Sequence, residues 1–169
     1  MLRCARNDDL ELEFSFESWP SGEWEALANC AAEAAAKVAP ELANPRLQTS
    51  VVFTSDAEVH ALNKEWRDRD KPTNVLSFPM LARDELLDLA ADGPPVMLGD
   101  IALAHATCAR EAAEKTVPIE HHASHLIIHG LLHLAGYDHV NCDEEAEKME
   151  SLEIAALAII GIADPYSYS

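Results

Sequence analysis

The chain has 169 residues, of which 49% are hydrophobic and 25% charged, and its formal net charge at pH 7 is −18. That size supports one domain over residues 1–169 with a real core, and so acidic a body does not bind phosphate backbones through bulk charge. No apolar run reaches the roughly 18 residues of a membrane span, so no membrane partner is expected. The opening segment, MLRCARNDDLELEF, has no apolar stretch long enough for a signal sequence. Cys4, Cys30, Cys108 and Cys142 form no CxxC pair. They read as free thiols in a reducing cytosol, which gives a cytoplasmic expectation.

Residues 11–17, ELEFSFE, alternate apolar and polar, the mark of a strand. The Ala-rich segment GEWEALANCAAEAAAKVA predicts a helix, and Pro40 and Pro45 bracket a turn. QTSVVFT, 48–54, is β-branched and apolar, hence a second strand. Ser55 with Glu58 makes a capping box that starts a helix running from Asp56 to about Arg69, ended by Pro72. NVLSFP, 74–79, is a third strand, and 81–95 a surface loop with room for a short helix. LGDIALAH, 98–105, is a fourth strand, followed by a helix to about Lys115. Pro118 suits the first turn of the next helix, which carries IEHHASHLIIHGLLHLA and stops at Gly136. Asp143 caps a last amphipathic helix, EEAEKMESLEIAALAII, and the tail GIADPYSYS has no periodicity. This order predicts an α+β layered fold with a small mixed sheet.

Two stretches carry chemistry. KEWRDRDK holds Lys64, Arg67, Arg69 and Lys71, four of the twelve basic residues of the chain. It reads either as a local positive edge or as a solvated helix end of mixed charge. The second stretch, HGLLHLAGYDH at 129–139, places histidines at i, i+4 and i+10. On a helix, i and i+4 lie one turn apart on one face, so His129 and His133 can share a metal ion. A third ligand at i+8 would lie about 12 Å along the axis, out of reach. Gly136 breaks the helix and lets His139 return to the ion. Three imidazoles leave a fourth position open, as in catalytic rather than structural zinc.

The spacing is that of the metzincin proteases, H-E-x-x-H-x-x-G-x-x-H, but Gly130 stands where those proteases carry their general-base glutamate. A metal-site helix of metzincin type is therefore expected without the peptidase base. Asp138 beside His139 has no fixed direction from sequence. Other sets stay open: His121, His125, His129 and His133 all share the i+4 spacing, and Cys142 is a further candidate ligand. His125 fits a partner behind the metal ligands, a substrate contact or a satisfied core histidine.

At this point the chain resembles a known family. HGLLHLAGYDH is similar to the motif H-G-x-L-H-L-x-G-Y-D-H of the YbeY family of bacterial endoribonucleases. NKEWRDRDKPTNVLSFP at 63–79 is similar to the family's N-x-x-[YW]-R-x-x-D-x-P-T-[DN]-V-L-S-F-P, LGDIALA at 98–104 to a third block, and the closing ADPY to a common ending. The blocks run from about residue 63 to 166; the first 60 residues match in pattern only. Asn74 stands where many members have Asp, and the 81–95 loop is of variable type. Neither departure touches a ligand or the arginine.

The resemblance implies a four-stranded mixed sheet flanked by helices, and one Zn²⁺ ion on His129, His133 and His139. It implies cleavage of single-stranded RNA, maturation of small-subunit ribosomal RNA at its 3′ end, and ribosome quality control. Contacts with ribosomal proteins and an assembly GTPase belong to the same expectation. Catalysis is assigned to Arg67 and to His129. Arg67 fits phosphate in a forked geometry, or serves as a structural ion pair. Two other functions remain open: a non-catalytic zinc-containing ribosome-assembly factor, for which an acidic body suits basic ribosomal proteins, and a metal-dependent hydrolase of another substrate.

Overall fold

The computed structural model describes residues 10–17, 19–67, 74–137 and 143–165, with the side chains of Trp66 and Arg67 left aside. In chain order the elements are β1 (Glu11–Phe16), α1 (Trp24–Val38), a 3₁₀ turn (Pro40–Leu42), β2 (Leu47–Thr54), α2 (Asp56–Arg67) and β3 (Val75–Pro79). Then come α3 (Arg83–Leu87), β4 (Val96–Ala104), α4 (His105–Glu114), α5 (Ile119–Leu134) and α6 (Asp143–Ile159). The four strands form one sheet in the order β1-β2-β4-β3. β1 pairs parallel with β2 and β2 parallel with β4, while β3 runs antiparallel along β4. The sheet is mixed and the fold α+β, as the sequence predicts.

The two faces of the sheet are unequal. Period-2 alternation sends Val51, Phe53, Ile101 and Leu103 to one side, where they join the buried residues of α1, α5 and α6 in the main core. The other side carries Leu76, Ala102 and Ala104, which meet Val59 of α2 in a small second core. α5 is the central helix of the main core; Ile127, Ile128, Leu131 and Leu132 are all fully buried. It lies close on the sheet because Gly130 has no side chain. A Cβ there would stand 3.1 Å from both Ile101 Cδ1 and Ser77 Oγ.

Local signals behave as their chemistry requires. Ser55 Oγ accepts the Glu58 N–H at 3.2 Å, so one half of the expected capping pair is present. Asp56, at the start of α2, accepts from the Thr107 backbone N–H and hydroxyl at 3.0 and 2.5 Å, tying α2 to the first turn of α4. Pro118 stands one residue outside α5 as its cap. The expected short helix in the 81–95 loop is α3.

One expectation is overturned. Cys30 is disulfide-bonded, whereas Cys108 is free and buried. Cys4 and Cys142 lie outside the described residues. Scattered spacing carries no information on which cysteines the fold brings together, so the four-free-thiol reading does not hold.

Candidate metal centre

α5 ends in a glycine-capped turn. The N–H of Tyr137 donates to Leu132 O at 3.0 Å and that of Gly136 to His133 O at 2.9 Å, the paired bonds of a Schellman motif. Gly136 takes φ +101°, a conformation other residues resist. Arg83 Nη1 donates to Ala135 O at 2.7 Å and to Glu41 Oε2 at 3.0 Å. The Tyr137 hydroxyl donates to the same Glu41 oxygen at 2.7 Å, and the Arg83 guanidinium lies 4.5 Å from the Tyr137 ring centroid. The turn is thus held by three side chains from three different segments. Burial works against the ionised Glu41, but the Tyr137 hydroxyl, its own backbone N–H and Arg83 hold its carboxyl below the usual value.

One turn above this cap, His129 and His133 meet. Their Nε2 atoms face each other at 3.0 Å and their ring planes cross at 86°. The other nitrogen of each ring is engaged. His133 Nδ1 lies 3.0 Å from the Tyr137 carbonyl oxygen, which only accepts, so Nδ1 carries the proton. His129 Nδ1 lies 3.1 Å from Glu153 Oε2. An ionised carboxylate also only accepts, so this Nδ1 is protonated too. In their neutral form both rings then direct an Nε2 lone pair into the same gap. Two lone pairs in such a gap repel; a cation between them removes the conflict. Two nitrogens sharing an ion at ~2.1 Å stand roughly 3.0–3.4 Å apart, so the pair fits a bound divalent ion. Among the described residues no group of three or more His, Cys, Asp or Glu is arranged to hold a metal. His139, the expected third ligand, lies outside the described residues, as do Asp138 and Cys142.

Glu153 is the residue that sequence reasoning missed. It sits on α6, 1% exposed. Oε2 accepts from His129, and Oε1 lies 2.5 Å from His125 Nε2. Burial alone would raise this carboxyl, yet the hydrogen bonds from His125 and His129 bring it down to about 2. A signal was present: Met149, Glu153 and Leu157 follow at i+4 along a buried stripe, and a charge on an apolar stripe needs partners. His125 is thereby resolved as a buried partner of Glu153, not one half of a chelating pair with His129, whose ring centroid is 6.4 Å away. Further along α5, His122 Nε2 meets Glu111 Oε1 at 2.8 Å, and Asn74 Nδ2 donates to the same oxygen at 2.8 Å. Desolvation lowers the His122 pKa against the pull of Glu111.

Arg67 is the last residue of α2, and its side chain lies outside the described atoms. Of the other basic residues of the cluster, Lys64 lies on α2, and Arg69 and Lys71 lie outside the described residues. An open groove of about 420 Å³, lined by Pro79, Met80, Arg83, His133 and Gly136, runs from the end of edge strand β3 to the His133 ring. Among the described residues no helix is long and apolar enough to cross a membrane.

Comparisons with known proteins agree on one family. The chain is 66% identical over 157 residues to endoribonuclease YbeY of Erythrobacter litoralis, covering 93% of this chain and 98% of that one. It is 66% identical to the protein of the same name in Novosphingobium aromaticivorans, covering 86% and 87%, and 50% identical to that of Zymomonas mobilis, covering 88% of each. The solution structure of TM1509 from Thermotoga maritima matches the fold with a TM-score of 0.54 at 25% identity, over 88% of this chain and 91% of that one. The sequence profile described as Endoribonuclease YbeY spans residues 13–161, and with nearly the full length aligned to such relatives, this chain belongs to the YbeY family of endoribonucleases.

Proposed function

We propose that the chain is a zinc-dependent endoribonuclease that cuts single-stranded RNA in the cytoplasm, matures the 3′ end of small-subunit ribosomal RNA and serves ribosome quality control. The observation that carries the metal reading is the pair of Nε2 atoms at 3.0 Å, each on a ring whose Nδ1 is already engaged. His129, His133 and His139 hold one Zn²⁺, His139 being the third ligand that the sequence spacing supplies. An ion on three imidazoles supplies Lewis acidity toward a phosphoryl oxygen and a nucleophile at neutral pH.

The chain's own residues do the rest. Arg67, with a permanent charge in a planar fork, binds the scissile phosphate and stabilises the added negative charge of its transition state. The groove beside His133 admits the strand, and the buried face of α5 keeps the two rings fixed against it. Ribosomal proteins and an assembly GTPase are the partners this role calls for. A peptidase reading finds no support at residue 130. The position after the first histidine is a glycine packed against Ile101 and Ser77, so it supplies no carboxylate, and a Cβ there would already crowd both neighbours at 3.1 Å.

The test is a pair of variants on single-stranded RNA. His129→Ala loses both zinc and cleavage. Arg67→Ala keeps zinc, and its cleavage falls by about 10²–10³-fold, as when one transition-state donor is removed. Cleavage by Arg67→Ala at the wild-type rate would remove the arginine from the mechanism. If that variant kept zinc, cut nothing and still restored ribosomal RNA maturation in cells, the protein would be a docking factor instead.

A further inference from the structure

We infer that Glu153 is a positioning residue for the metal centre: its carboxylate sets the tautomer and aim of the His129 ring, and His125 locks that carboxylate in place. The inference rests on the proposed metal centre for its effect at the ion, but not for the tautomer, which the protein sets by itself.

Glu153 divides its two oxygens between two rings one helical turn apart, Oε1 to His125 and Oε2 to His129. It is 1% exposed, between the fully buried Met149 and Leu157, so the carboxylate cannot swing to water. As an acceptor on both sides it requires a proton on His125 Nε2 and on His129 Nδ1. The second requirement leaves Nε2 of His129 with its lone pair toward His133 Nε2, 3.0 Å away. His133 reaches the same tautomer by another route, through the Tyr137 carbonyl of its own helix end. One ring is therefore set by a side chain of α6 and the other by the backbone of the turn that follows α5. A carboxylate behind a ligating imidazole orients the ring and raises its basicity, and losing such a partner typically costs 10–100-fold in metal affinity. A carboxylate that merely clamped α6 to α5 would change stability and leave the proton on His129 where it is.

The experiment reads tautomers by long-range ¹H–¹⁵N NMR on the full, metal-free chain at about pH 8, where neutral imidazoles dominate, and then titrates Co²⁺ alone. In the wild type, His129 and His133 both carry the proton on Nδ1. In Glu153→Leu, His129 shifts toward the Nε2–H form while His133 does not, and Co²⁺ binds about 100-fold more weakly. Glu153→Gln keeps an acceptor and the shape, so it falls between, about tenfold weaker. Should Glu153→Leu fail to fold, the wild-type tautomer and the Glu153→Gln affinity still decide. His129 protonated on Nε2 in the wild type, an unshifted His129 in Glu153→Leu, or Glu153→Gln binding Co²⁺ as tightly as wild type would each overturn the inference. A wild type with the expected tautomers and no Co²⁺ binding would instead refute the metal centre and leave the tautomer assignment standing.

Discussion

The two halves of α5 use the same residue type in opposite ways. In the first half, His122 and His125 spend Nε2 on carboxylates, Glu111 and Glu153. In the second half, His129 and His133 anchor Nδ1 and point Nε2 at each other. The i+4 spacing is common to both halves and does not distinguish them. What separates a structural histidine from a candidate ligand here is which ring nitrogen is tied down, and that depends on acceptors brought in by α4, α6 and the helix cap.

The sharpest way to break the comparison is to exchange the halves' losses. His129→Ala is expected to abolish zinc binding, measured by metal analysis after gel filtration, whereas His122→Ala retains it within about twofold, since it lies outside the pair and its loss is one of stability. A smaller effect comes from the shared platform. Gly130→Val pushes a side chain against Ile101 and Ser77 and should cost about 1–3 kcal/mol in urea unfolding. Because α5 must lift, it should also weaken zinc binding, the mark that both halves depend on the same seat. His122→Ala itself removes one bond to a carboxylate and should cost about 1–2 kcal/mol, with no change in His129 or His133 chemical shifts.

The smallest effect concerns the cap. The carboxyl of Glu41 is held below its ordinary value, so its contribution is present above the unfolded carboxylate pKa and is lost as pH falls through the lowered one. Tyr137→Phe removes one of the bonds responsible. It should cost about 1 kcal/mol at neutral pH and flatten the loss of stability on acidification, read from melting temperatures between neutral pH and the acid limb. Equal slopes in the two proteins would mean that Arg83 and the backbone N–H hold Glu41 without the tyrosine.

Much of this was legible in the chain because the signals were local. Ser55 and Glu58, Pro118 and Gly136 mark helix ends within a few residues of themselves, and His129 and His133 are neighbours by helical arithmetic. The strand order β1-β2-β4-β3 is not local, since β3 is reached before β4 in the chain and yet takes the edge. Glu153 escaped notice for the same reason: its partners lie 24 and 28 residues away on another helix. The role of His125 could not be chosen until that carboxylate was in place. The Cys30 disulfide is a third case, a contact that spacing does not encode.

The inequality of the sheet's faces has a consequence for motion. α5 is gripped by the large core, while the apolar side of α2 meets the small core of Val59, Leu76, Ala102 and Ala104, with Leu62 packed against it, and Asp56 clasps Thr107. Helices with little apolar grip open by themselves at lower free energy than the whole fold. The backbone amides of α2 should therefore trade hydrogen for deuterium well before those of α5. Breathing of this kind would shift the segment ending in Arg67 relative to α5.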